Sequence, residues 1–465
     1  MRLTAVSILC LTLCFTVAAV AQTYDDATLA KVTALDASGR GADGAIPELP
    51  AAEHLYRADV YQSNRHFAEA RGHWMRFLAA YPGAEGTSRA LFGIGRGYMW
   101  EREYEKAITW FEKLTPDYAD TKEGREGLAF RGASYIRLGK SLEGARVYEQ
   151  YAVMYPKGEK IDSAHLNIID AYREAGRFRE ANDWVARTRA KFTGTAVETN
   201  ALHAKLRMEI GRANWEIAIE TADALLSLNI FKGSMTGQNE VTYLKAFALE
   251  KSGRAEAIDV YASLPTGIDS YWGGLGADAL ARLDPERVIK SADVASRQPS
   301  EKFFADFPVL YREEVLAAAR KHGLDPRFLL AVMKQESRFD TKAKSPAAAR
   351  GLLQLVMDTA VKYAEPAGLG KLEADDLYDP KVNIALGAAY IGALVKEFGG
   401  MYEAVAASYN AGEDNAARWL ARTSPKTPAV FTSEVGFSET KNYVIKVMGN
   451  YRAYCALYDE NLSER

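Results

Sequence analysis

The sequence predicts a mainly α protein in two parts, a run of repeated helical hairpins followed by a second helical domain without the repeat. Three observations carry this reading. Tyr61, Tyr98, Tyr135 and Tyr172 stand 37 residues apart, and Ala70, Ala107, Ala145 and Ala181 follow at spacings of 37, 38 and 36. From Phe307-Pro308 onward that recurrence is lost, which places a domain boundary near 290–305. Beyond it, apolar residues return at helical spacing, with Gly323 as a stop and Asp325-Pro326 as a start signal. The 465 residues suffice for roughly two to four domains. A net charge of −3 with 26% charged and 48% hydrophobic residues is that of an ordinary globular chain, not of a basic nucleic-acid binder or an acidic disordered one.

At the N-terminus, Arg2 precedes an apolar stretch over 5–20 that ends in Ala19-Val20-Ala21, a small-x-small cleavage pattern. We expect a secretory signal peptide at 1–21 and hence export to the periplasm or cell envelope, without a stable membrane span. The stretch is shorter than the roughly 20 apolar residues that a spanning helix needs. Cys10 and Cys14 lie within it, each after a Leu where lipoprotein signals usually have Gly or Ala, which disfavours lipid anchoring. Cleavage would leave Cys455 alone, without an internal disulfide. Residues 22–50, rich in Ala, Gly and Asp, are expected to be a flexible linker. The G-x-G-x-x-G match from Gly39 to Gly44 has no apolar strand ahead of it, and Pro47 and Pro50 follow at once, so it lacks the setting of a dinucleotide site.

Over 51–290 each unit reads as two helices. In the second, Ile94 and Tyr98 end one helix, Glu101 to Glu103 make a polar turn, and Ala107, Ile108 and Phe111 share a face of the next. Gly139 and Gly176 occupy turns where a helix C-terminus favours a left-handed residue. Weaker copies follow at Gly211 with Trp215 and Ala218, and at Phe247 with Gly253, Ala257 and Tyr261. The pattern resembles the tetratricopeptide repeat. Such hairpins stack because none covers its own apolar face, and the resulting superhelix offers a concave surface to a protein partner. Packing alone accounts for the recurring Tyr and Ala.

In the second domain, over 305–465, Tyr311, Val315 and Ala318 make one helical stripe, and Leu329, Val332, Met333 and Glu336 make another. Glu336 thus sits on the apolar face of its own helix, near the C-terminal end. Desolvation and the negative end of the helix dipole both disfavour its charge, as a proton donor near neutral pH requires. The bland alternative is a rim residue that reaches water. Tyr402, Val405, Ala406 and Tyr409 share another face, so the Tyr409 ring is expected to be buried with its hydroxyl seeking a partner.

The surroundings of Glu336 add a resemblance. Gln335-Glu336-Ser337-Arg338-Phe339, Ser345, Gly351-Leu352-Leu353-Gln354 and Thr359-Ala360 resemble the lytic transglycosylases of glycoside hydrolase family 23. Leu377-Tyr378-Asp379-Pro380 with Asn383 and Gly387, Ser408-Tyr409-Asn410-Ala411-Gly412, and Phe437-Ser438-Glu439-Thr440-Lys441-Asn442-Tyr443-Val444 match further motifs of that family in its order. The resemblance implies a lysozyme-like, predominantly helical catalytic domain acting on peptidoglycan glycan strands, and the repeats ahead of it look like the soluble members. It implies cleavage of the β-1,4 bond between N-acetylmuramic acid and N-acetylglucosamine, with 1,6-anhydromuramoyl ends. Glu336 would be both acid and base, Tyr409 would place its hydroxyl against it, and Ser345, Gln354, Asn410 and Tyr443 would join Tyr409 in contacting the glycan. Asp340, the one near carboxylate in sequence, reads as a solvated residue after the helix.

This chain departs from the family pattern in three places. Pro346-Ala347-Ala348-Ala349 replaces an Ala-Gly-Ala stretch, so Ala348 is strained if that backbone needs positive φ. Val356-Met357 replaces Met-Pro. Ser433-Glu434-Val435-Gly436-Phe437 shifts an acidic residue by one, with Glu434 as its substitute among the substrate contacts. Two alternatives therefore stand beside the transglycosylase: a non-catalytic peptidoglycan-binding scaffold, and a hydrolase like goose-type lysozyme. No cofactor or metal is expected, since the His residues are scattered and there is no Cys cluster.

Overall fold

The computed structural model describes residues 24–41, 44–286 and 301–465. The expected signal peptide lies outside them, with Cys10 and Cys14, as does most of the polar stretch near 290–305. The described residues are mainly α, and their only β pairings are isolated bridges. They fall into two compact units. One runs to Phe192 and includes Pro346–Ala348; the other comprises Thr193–Ser345 and Ala349–Arg465.

In the first unit, helices pair as hairpins: Ala51–Ser63 with Phe67–Ala80, Thr87–Trp100 with Tyr104–Glu112, Lys122–Arg137 with Ser141–Met154, and Ile161–Glu174 with Phe178–Lys191. The recurring Ala70, Ala107, Ala145 and Ala181 are all 0% exposed, because only a methyl fits where the two helices of a hairpin approach closely. The recurring tyrosines have a backbone role as well. The carbonyls of Tyr61, Tyr98, Tyr135 and Tyr172 accept from the N–H of His66, Glu103, Lys140 and Arg177 at 2.8–2.9 Å. Each of these bonds closes a helix C-terminus through a left-handed residue. Gly139 and Gly176 fill that position as expected, but Arg65 and Arg102 fill it in the first two hairpins at φ 66° and 64°. The turn is thus imposed by packing even where a side chain opposes it, at roughly 1–2 kcal/mol per residue.

The expected linker at 22–50 is corrected, since Asp26–Gly39 is a helix capped by Asp25, whose side chain accepts from the Thr28 N–H. Its Asp36, 3% exposed, pairs with Arg57, lies 2.8 Å from Nε2 of His73 and accepts from the Tyr61 hydroxyl at 2.7 Å. Composition suggested a linker because the partners that make Asp36 a core residue lie far along the chain.

The second unit begins with two more hairpins, Ala196–Gly211 with Trp215–Leu228 and Gln238–Lys251 with Ala257–Ala262, then Tyr271–Leu283. The loss of the repeat and the border between packed units are thus different features of the chain. Helices Ala196–Gly211 and Gln238–Lys251 pack on Pro428–Glu434, and Tyr271–Leu283 packs on Ser438–Leu457. Gly323 ends Arg312–His322 in the left-handed conformation, and Asp325 caps Pro326–Glu336, both as expected. The latter helix lies against Ser438–Leu457. Its Phe328 is fully buried and stacks on Tyr402 with ring centroids 4.3 Å apart, while Leu329, Leu330, Val332 and Met333 are at most 1% exposed. At about 1.5–3 kcal/mol per large apolar side chain, this is one of the most firmly held helices of the unit.

Candidate active site

Glu336 is the last residue of that helix and continues its apolar stripe, with 8% of its surface exposed. The hydroxyl of Tyr443 donates to its Oε1 at 2.6 Å. Burial pushes the Glu336 carboxyl up to about 8; the Tyr443 hydrogen bond opposes this and the charge of Glu439 adds to it. A carboxyl of this kind keeps its proton at neutral pH and can donate it. Burial, followed by the neighbouring Glu336, also holds the phenols of Tyr443 and Tyr409 well above their usual range, so both remain hydrogen-bond donors. Tyr409 stands against Tyr390 at 5.2 Å between ring centroids.

Here an implied role changes hands. The Tyr409 hydroxyl donates to the carbonyl of Leu353 at 2.6 Å, and the hydrogen bond to Glu336 comes from Tyr443 instead. The reason is the loop over 343–355, whose carbonyls have no helix to satisfy them and draw in side-chain donors. Ser337 donates to the Leu352 carbonyl at 2.8 Å. Asn383, fully buried, donates to the carbonyls of Arg350 and Leu377 at 3.0 and 2.7 Å and accepts from the Leu353 N–H at 2.8 Å. Gly351, at φ +74°, lies so close that a Cβ would sit 2.1 Å from the Leu377 carbonyl oxygen. Glycine is required there both by conformation and by space.

Two residues assigned to the glycan are also used by this loop. Nε2 of Gln354 donates to the carbonyls of Ala343 and Gly351 at 3.0 and 2.9 Å, and the backbone of Gln354 is left-handed at φ +46°. Oγ of Ser345 accepts from the Ala349 N–H at 3.1 Å. Their side chains hold the loop's own backbone. Ala348 adopts φ +60°, so the strain expected from the missing glycine is present.

Asn410 accepts from the Thr440 hydroxyl at 2.6 Å through Oδ1, tying the end of Tyr402–Ala411 to the start of Ser438–Leu457. Glu434 is corrected. It is 1% exposed, with its Oε2 3.0 Å from Arg207 Nη1 and 3.1 Å from Arg422 Nε, so it braces helices and is not open to substrate. Asp340 is exposed and accepts from the Lys342 N–H, as a solvated residue would. Sequence reasoning missed Asn383 as the clamp of the loop and Glu439 as the carboxylate whose charge reaches Glu336. Both stood inside recognised motifs, but neither periodicity nor spacing says which atoms a side chain will meet.

A helical unit that holds one protonated carboxyl beside a clamped loop is a scaffold for general acid chemistry. Residues 313–431 match the family described as Transglycosylase SLT domain. Over 150 residues the chain is 31% identical to the soluble lytic murein transglycosylases of Escherichia coli and Salmonella typhimurium, a match covering 32% of this chain and 23% of each relative. The chain thus matches about a quarter of the length of these relatives. It is also 30% identical over 167 residues to the membrane-bound lytic murein transglycosylase C of Serratia proteamaculans, covering 31% of this chain and 46% of the relative. In fold it resembles an inactive mutant of the lytic transglycosylase Slt from Pseudomonas aeruginosa, with a TM-score of 0.51 at 18% identity over 86% of this chain and 80% of the other.

Proposed function

We propose that this protein is a peptidoglycan lytic transglycosylase, exported to the cell envelope, with Glu336 as its single acid and base. The observation that carries this is the Glu336 carboxyl, buried within a Transglycosylase SLT domain and held near 8 with one phenol as its partner. Its proton passes to the glycosidic oxygen as the bond to C1 of N-acetylmuramic acid breaks. The carboxylate then takes the proton of the muramoyl C6 hydroxyl as O6 bonds to C1. The acid is regenerated, no water is consumed, and the product is a 1,6-anhydro sugar. The clamped loop over 343–355 and Asn410 form the adjoining glycan wall in this reading, and the repeats provide a surface for a protein partner.

Glu439 favours a second reading, because a two-carboxylate hydrolase needs a partner near its acid. Mass spectrometry of soluble products from purified sacculi, with the native protein beside Glu336→Gln, separates these. Anhydromuropeptides from the native protein alone are expected. Reducing ends would assign a hydrolase, and binding without products from either protein would assign a scaffold.

A further inference from the structure

The helix Ser438–Leu457 presents two opposite sides to two different neighbours. Lys441 and Tyr443 are two positions apart, about 200° around a helix, so they point nearly opposite ways. Tyr443 reaches Glu336. Lys441, 2% exposed, places its Nζ 2.9 Å from Glu240 Oε1 and donates to the Ser433 carbonyl at 3.0 Å. Glu240, on Gln238–Lys251, is 1% exposed, and the same Oε1 lies 2.8 Å from Nε2 of His203 on Ala196–Gly211. Arg207 and Glu434 are the further charges felt by Lys441, while Tyr443 and Glu439 are those felt by Glu336.

Burying an ammonium, a carboxylate and an imidazole together is a costly way to join helices, which apolar side chains would do as well; what a buried ion cluster adds is a defined register. Register matters on this helix. Thr440 bonds Asn410, Tyr443 bonds Glu336, and Glu439 sets part of the field at Glu336. Lys441 lies in the middle of these three.

We propose that the buried His203–Glu240–Lys441 cluster is a positioning device through which the last two helical hairpins hold Tyr443 and its helix against Glu336. These hairpins are then part of the active-site support, in addition to any partner they bind. The proposal rests on Glu336 being the acid.

The test compares Lys441→Met, Lys441→Arg and Arg57→Gln in the full chain. Arg57→Gln disturbs a similarly buried ion pair, with Asp36, and Arg57 is not among the charges felt by Lys441 or Glu336. Two readouts are taken: the pH profile of kcat/KM on sacculi, and the titration of the Glu336 carboxyl by isotope-edited infrared spectroscopy, with Glu336→Gln for subtraction. Relaxed packing readmits water to a carboxyl whose pKa is raised chiefly by desolvation. Lys441→Met should therefore lower the alkaline limb and the carboxyl midpoint by about one pH unit, and lower kcat about ten-fold with KM nearly unchanged. Lys441→Arg should restore the native profile, and Arg57→Gln should lower Tm without moving either midpoint. If Lys441→Met does not fold by circular dichroism, Glu240→Gln takes its place with the same expectations. A Tm loss with unmoved midpoints would reduce the cluster to a structural role and overturn the proposal. If the native protein releases no products, the acid reading fails, while the carboxyl titration still decides whether the cluster is coupled to Glu336.

Discussion

Glu336 and Glu240 are both buried in the same unit, and their carboxyls end on opposite sides of the usual range. Burial carries Glu336 up to about 8, because its partner is a neutral phenol. Burial acts on Glu240 in the same direction, but the ammonium of Lys441 and the ring of His203 more than reverse it and hold the carboxyl below the ordinary range. Desolvation makes a buried carboxylate sensitive to its surroundings, and the nearest partner decides the sign. One region thereby keeps a proton to donate, and the other a fixed charge that braces helices.

The largest effect that would break this contrast is Glu336→Gln. Product release from sacculi should fall by about 10²–10⁴-fold, the range for a lost general acid. Stability should change in the opposite sense. With its folded pKa raised above the unfolded value, Glu336 binds a proton that the unfolded chain has released, so it costs stability progressively as pH rises from about 4.5 to about 8. Glu336→Gln removes that slope, and its Tm should exceed the native value at pH 8 and converge on it near pH 4. Equal Tm differences at both pH values would contradict the raised pKa.

Glu240→Gln approaches the contrast from the other side. It leaves Lys441 buried without its counter-ion and should cost about 3–5 kcal/mol in urea unfolding at pH 7. A depressed carboxyl contributes stability that is full above the unfolded pKa and is lost as pH falls through the folded one. The gap between Glu240→Gln and the native protein should therefore narrow in acid, whereas that of Glu336→Gln opens in alkali. Tyr443→Phe sharpens the comparison further. Removing the hydrogen bond that opposes desolvation should move the alkaline limb above 8 and lower kcat by roughly ten-fold, read from the pH profile. The smallest effect lies in the turn after Ala196–Gly211, where Ala213 is exposed at φ +57°. Ala213→Gly should gain about 0.5 kcal/mol by removing left-handed strain, seen as a small rise in the urea midpoint.

These two carboxylates also mark how far the sequence could be read. Glu336 was legible because it extends the stripe of Leu329, Val332 and Met333, so one helix suffices to bury it. Glu240 carried no such signal, since its partners Lys441 and His203 come from other helices. Glu434 was legible as an acidic residue in a recognised neighbourhood, but its assignment to substrate failed because Arg207, far back in the chain, occupies it. Ser345 and Gln354 stood in the motifs implied by resemblance, and only the folded loop revealed that their side chains hold its backbone.

By itself the sequence determined the helical period, the hairpin repeat with its buried alanines, the caps at Asp325 and Gly323, and the placing of Glu336 at the end of an apolar stripe. All of these follow from rotation of about 100° per residue and from local backbone preference, which neighbours along the chain suffice to set. Tertiary structure alone decided that Tyr443 and not Tyr409 bonds Glu336, that Asp26–Gly39 is a helix and not a linker, and that two arginines claim Glu434. Each of these depends on which atoms meet across the fold. Tyr443 reaches Glu336 over a separation of 107 residues, a distance at which no local preference acts and only packing brings the two together.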